Sequence, residues 1–269
     1  MKRKTKGLII VLLCLLLVVM LVSGYKLYSI VHEYRVAQRA YNKLSDQFVS
    51  ENVKPENNAG SGASDPVAQT SESGDVLDPD VSPIQVDFDA LLAKSQNVVG
   101  WLYSADTVIN YPVAQAADND YYLHRLYDGS YNPSGTLFLD FRCSRDFSDR
   151  NTILYGHHMN DGSMLACITE YSKAGYYEQH PSLYLNTPGG NYRIDVFSGF
   201  ITASGSTAFT LDLSEDDAFT LYVNKMRGFS DFKTDVEVGL DDKLITLVTC
   251  TYEYTDARYV LLGKLVPIH

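Results

Sequence analysis

The chain is short of cysteine, of metal-ligand spacings and of positive charge, and each shortage removes a class of function. Four cysteines in 269 residues are too few for the disulfide framework of a small secreted scaffold. Neither a CxxC nor an HxxxH spacing occurs, so no structural zinc site is indicated. Asp and Glu number 33 against 22 Lys and Arg, a formal net charge of -11. Four of the cations are Lys2, Arg3, Lys4 and Lys6, which leaves the remainder more acidic still. That balance argues against nucleic acid as a partner. No internal repeat is present.

One long uncharged apolar run runs from Gly7 to Gly24. It approaches the roughly 20 residues that cross a bilayer as a helix, and Tyr25, Leu27 and Tyr28 extend it into the interface. The preceding basic cluster predicts a single pass with a cytoplasmic amino terminus and the rest of the chain outside. A cleaved signal peptide would have a shorter apolar core, about 7–15 residues, and a small-residue cleavage site. Ser23-Gly24 is a weak match to such a site, so residues 1–24 read as a basic tip and membrane anchor. Residues 25–83 read as stalk and linker. Val31, Tyr34, Ala37, Tyr41 and Leu44 stand near helical spacing, and 49–83 is too polar to offset the entropy of ordering.

The folded domain is expected over 84–269. Val86–Gln96, Ser163–Tyr171 and Ser214–Arg227 read as helices, with acids opening the first and last. Thr107–Val113, Thr136–Asp140, Asn151–Tyr155, Ser182–Leu185, Tyr192–Ala203, 244–251 and 258–266 read as strands. Thr187-Pro188-Gly189-Gly190-Asn191 is a turn signal. Many short strands and three modest helices predict a mainly β fold, a closed or nearly closed barrel with peripheral helices.

The chemistry concentrates near the carboxy terminus. Cys250 ends the apolar, β-branched segment Leu244–Cys250, and Arg258 follows eight positions later at the start of the next strand. The polar loop 251–257 between them places both groups at one end of a sheet. A thiol attacks as thiolate, a form that nearby cations favour. A structural cysteine is the plainer alternative, because free cysteine behaves as a small hydrophobe; Cys143 and Cys167 keep that reading, with a disulfide between them as the other possibility. Of the histidines, His32 falls in the stalk, His269 is terminal, His180 precedes a proline and His124 sits on a surface helix. His157 and His158 follow a strand and Gly156, which makes that loop the best source of imidazole chemistry. A fixed guanidinium at Arg258 suits an oxyanion.

The segment Thr246-Leu247-Val248-Thr249-Cys250 resembles the TLxTC signature of the sortases, membrane-anchored cysteine transpeptidases of Gram-positive bacteria. Tyr155-Gly156-His157-His158 is similar to the family's strand-GH segment, which points to His157, and Arg258 matches the arginine of the following strand. Asn119–Leu123, Gly135–Asp140 and the helix from Ser214 to Arg227 resemble class B, although the Cys-to-Arg loop is shorter than in many of its members. The resemblance covers about 84–269 and implies a sortase-like closed barrel. It implies a thioacyl intermediate on Cys250, acid-base work by His157 and substrate and oxyanion contacts from Arg258. Thr249, Tyr252, Tyr254 and Tyr259 are candidate groove residues. The implied partners are secreted proteins with a sorting motif and a peptidoglycan amine, and no metal or organic cofactor is implied. A papain-like cell-wall peptidase usually places Cys before His, a pilin polymerase would take a lysine amine, and a binding module would not need Cys250.

Overall fold

The computed structural model describes residues 2–52, 80–251 and 253–269. It begins with α1 (Lys2–Phe48), then β1 (Val49–Glu51), β2 (Ile84–Val86) and α2 (Phe88–Lys94). Strands β3 (Val98–Tyr103), β4 (Asn110–Ala114), β5 (Leu137–Leu139) and β6 (Asn151–Tyr155) follow. After the short α3 (Tyr176–Gln179) come β7 (Ser182–Thr187), β8 (Gly190–Ala203), α4 (Asp216–Phe229), β9 (Lys243–Cys250) and β10 (Ala257–Ile268). Eight strands close a barrel in the order β10-β8-β7-β3-β4-β5-β6-β9, and β9 pairs β10 to complete it. β4–β5 and β6–β9 are parallel and the other pairs antiparallel.

The apolar run of β9 is continuous because both of its faces are covered. Ile245 and Leu247 point into the barrel core with Tyr259 and Leu261. Leu244 and Val248 face outward, with Val260 and Leu262, into a second cluster under Phe219, Tyr222, Val223 and Met226 of α4. The same double burial hid β3 from the sequence reading, since Val98 to Leu102 show no polar alternation. The segment expected as the helix Ser163–Tyr171 forms a 3₁₀ turn over Ala166–Ser172.

The N-terminal helix continues through the expected stalk, and its end is packed on the barrel. α1 runs unbroken through the apolar run to Phe48; its apolar residues from Leu12 to Val22 are exposed, and the helix from Leu12 on is long and apolar enough to cross a membrane. Its last turns are docked, with Ala37, Tyr41 and Leu44 buried in the main core. Their i, i+4, i+7 spacing is the stripe of a packed helix. β1 pairs β2, and Asn52 N–H donates to Pro83 O at 2.9 Å, so the two ends of the expected linker are tied down together. Residues 53–79 of that linker lie outside the described residues.

Candidate active site

Cys250 closes β9, Arg258 stands second in β10, and the register sets them directly opposite. Opposed residues of an antiparallel pair share a face, with Cβ atoms about 4.5–5.5 Å apart. The loop between them is closed by Thr251 N–H donating to Ala257 O (3.1 Å) and Ala257 N–H donating to Tyr254 O (3.2 Å). This face continues along the sheet through Val248, Tyr155 and Phe138, which are paired or adjacent on the outside of the barrel. Phe138 and Tyr155 stack at 5.3 Å. Together with His157, Leu123 and Asn119 they enclose a pocket of about 300 Å³ that Cys250, Arg258 and Thr249 also line.

His157 reaches that pocket because β6 ends at a glycine. Gly156 N–H donates to Val248 O at 3.0 Å, which holds the strand end against β9. A Cβ on Gly156 would press into Leu137 and come within 2.7 Å of Leu165 Cγ, so a larger residue would push the histidine out of line. The His157 Nε2 lies 2.7 Å from Leu123 O. A carbonyl only accepts, so Nε2 carries the proton and the neutral ring keeps its lone pair on Nδ1. His124 stacks on the ring at 5.9 Å. Burial lowers the His157 pKa below the usual value, and the neighbouring His124 adds to this, against the hydrogen bond to Leu123. His158 takes a different position: its Nδ1 donates to the backbone carbonyl of Cys250 at 3.0 Å. One histidine of the tandem faces the pocket and the other braces the cysteine's peptide.

The remaining sequence candidates separate. Thr249 borders the pocket, and its buried Oγ1 has no hydrogen-bond partner among the described residues. Tyr259 is not at the mouth. It is paired with Thr249 on the opposite face from Arg258, is 1% exposed, and donates its hydroxyl to Asp231 Oδ2 at 3.2 Å. Tyr254 is exposed on the loop and does not line the pocket. Tyr252 lies outside the described residues. Cys143 and Cys167 are free thiols, and burial pushes both up to about 11, so neither competes as a thiolate.

Sequence reasoning quoted Asn119 and Asp140 without a role for either. Asp140 is fully buried and receives two hydrogen bonds from the Arg142 side chain, Nε to Oδ1 (2.9 Å) and Nη2 to Oδ2 (2.8 Å). Asn119 Nδ2 and the Tyr155 hydroxyl also donate to Oδ2, each at 3.1 Å. Burial alone would raise the Asp140 carboxyl, but the Arg142 and Asn119 hydrogen bonds hold it below the usual carboxylate range. The ionised carboxylate thereby fixes two pocket-lining side chains. No residue pattern signals this, because Asp140 and its three partners are scattered from 119 to 155.

A larger cavity, about 1210 Å³, opens at the other end of β8 and β10, between the Thr187–Asn191 turn, His269 and Asp87. Among the described residues it is lined by no cysteine and no arginine, whereas the smaller pocket holds both. Among the described residues no group of three or more His, Cys, Asp or Glu is placed to hold a metal ion.

Comparison with known proteins agrees with this geometry. No protein-family model matches the chain. Sortase B of Listeria monocytogenes is 37% identical over 174 residues, covering 64% of this chain and 71% of that protein. A Bacillus anthracis structure described as similar to sortase B superposes with a TM-score of 0.66 at 33% identity, covering 88% of this chain and 97% of that one. A Staphylococcus aureus sortase B-substrate complex gives a TM-score of 0.65 at 30% identity over 68% of this chain and 85% of that one.

Proposed function

The chain belongs to the class B sortase family of cysteine transpeptidases, and from that membership we propose how its pocket divides the work. Cys250 passes its thiol proton to the free Nδ1 of His157, and its Sγ attacks the carbonyl carbon of a peptide bond in a carboxy-terminal sorting motif. The carbon–nitrogen bond breaks, His157 delivers a proton to the departing amine, and a thioester remains on Cys250. An incoming amine from a peptidoglycan stem or cross-bridge peptide attacks the thioester, gives its proton to His157 and releases the thiolate. Arg258 donates to the oxyanion formed in each step. That a Staphylococcus aureus sortase B forms a complex with a substrate supports substrate binding by this chain. The Asp140-anchored pair Asn119 and Tyr155 forms the fixed wall of the pocket.

α1 serves as the single-pass anchor, with Lys2 to Lys6 on the cytoplasmic side and the barrel outside. Residues 1–24 form the anchor and 84–269 the barrel domain that carries the catalytic groups, with Ala37, Tyr41 and Leu44 of the helix between them packed into its core.

The observation that carries the reading is that Cys250, His157 and Arg258 line one pocket, with Cys250 and Arg258 in cross-strand register. The full chain in detergent, given a library of LPxTG-like and NPxTN-like peptides and a diamino-acid acceptor, is expected to form a ligated product detectable by mass spectrometry. Cys250→Ala abolishes it. Hydrolysis without ligation under saturating amine, or turnover that survives Cys250→Ala, would reject the proposal.

A further inference from the structure

The docked end of α1 is connected by hydrogen bonds to the loop that holds His157. Tyr41 is buried, with its hydroxyl donating to Gly135 O. The same hydroxyl lies 3.0 Å from Thr136 Oγ1, which donates to Arg125 O at 2.9 Å. A second strap runs from Asn132 Nδ2 to Glu33 O of α1 at 3.0 Å.

This loop folds back on the residues that touch the imidazole. Thr136 N–H donates to Tyr122 O, and Asn132 N–H donates to His124 O, both at 3.0 Å. Gly135 holds φ at +61°, and a Cβ there would stand 2.5 Å from Tyr122 O and 2.7 Å from Leu123 O. Its backbone is therefore pressed against the Leu123 carbonyl that accepts from His157 Nε2. Tyr41 itself is not among the residues lining the pocket.

We propose that Tyr41 is a positioning residue for His157, acting through Gly135 and Thr136 on the Leu123 carbonyl and the His124 ring. The helix that leaves the membrane thereby also sets the direction of the imidazole. This rests on His157 being the acid-base group, and it concerns a side chain remote from substrate. A displacement well under 1 Å suffices, because catalytic rates depend steeply on the placement of the reacting groups.

The test is Tyr41→Phe in the full chain, which keeps the ring and removes the hydroxyl. The expected result is a fall in kcat of about tenfold with KM unchanged, and a shift of the His157 ring resonances in NMR. Thr136→Val cuts the same path one step further on and moves both readouts the same way. The double variant falls short of the product of the two single effects, as coupled residues do. Unchanged kcat and unchanged His157 resonances with only a lower Tm would show that Tyr41 is packing alone and overturn the proposal, as would a change confined to KM. If the wild-type chain ligates no peptide, the functional reading fails by itself, and the His157 resonances still decide whether Tyr41 sets the ring.

Discussion

His157 and His158 are neighbours in sequence with opposite surroundings. The first lines the pocket with its Nε2 held by Leu123 O, while the second donates to the Cys250 carbonyl. His157→Ala is expected to cut kcat/KM by about 10²–10⁴-fold, the usual worth of a positioned acid-base group. His158→Ala should cost far less, and His158→Asn should restore part of it by keeping a donor near the carbonyl. Steady-state ligation rates of the three variants decide the matter; equal losses would mean that the tandem does not divide its tasks. Burial lowers the His157 pKa from its ordinary value near 6.5, so between the folded value and 6.5 the unfolded chain binds more protons. The stability of the neutral, buried ring is present above pH 6.5 and is lost as pH falls through that window. Denaturant midpoints for His157→Asn are therefore expected to vary less with pH just below 6.5 than those of the wild type. The Cys-Arg pair was legible in the sequence because an eight-residue separation across a short loop brings two strand ends together. Tyr259 was misplaced at the mouth although its parity was also legible: it adjoins Arg258, and successive strand residues face opposite sides.

Among the elements, those that announce themselves by local chemistry were found and those defined by their neighbours were not. β6 matches its expected limits, Asn151–Tyr155, and the turn at Thr187–Asn191 separates β7 from β8 as its Pro-Gly-Gly signal required. β3 is buried on both sides and has Gly100 at its centre, which removes the alternation that would mark it. α4 was legible from its acidic start, but its job required the structure: it covers the outer face of β9 and β10 below Cys250 and Arg258. Phe219 is 1% exposed at the centre of that cover, with the Arg150 guanidinium 4.8 Å from its ring. Phe219→Ala is expected to cost about 3–5 kcal/mol, the transfer free energy plus the cavity left behind. Urea titration should show this as a lower midpoint with unchanged slope; a loss under ~1 kcal/mol would mean that α4 is not a fixed part of the core.

At the scale of the whole molecule the question is where the folded unit begins. Composition placed the start near residue 84, after a polar stretch that cannot form a core. The periodic Ala37, Tyr41 and Leu44 were visible in the sequence, but a helical stripe does not say what it packs against, and its partners lie beyond residue 80. In the structure the stripe is buried in the main cluster with Tyr111 and Tyr127, and Tyr41 meets Tyr111 edge-on at 5.3 Å. Ser45 Oγ accepts from Asn110 Nδ2 at 3.1 Å, and Asn110 Oδ1 in turn accepts from the buried Trp101 indole at 2.7 Å. A fragment of residues 84–269 loses these contacts and the β1–β2 pair, and it exposes the surface they covered. Each large side chain buried here is worth about 1.5–3 kcal/mol, and a domain's net stability is only about 5–15 kcal/mol. The 84–269 fragment is therefore expected to melt roughly 10–20 °C below a 30–269 fragment, at the ~2–4 °C per kcal/mol typical of this size. The longer fragment lacks the apolar run but keeps the docked turns, so the comparison isolates packing from membrane insertion. Calorimetry on the two settles it: equal melting temperatures would mean that the end of α1 merely rests on the barrel, whereas the expected gap makes the end of α1 part of the enzyme's core.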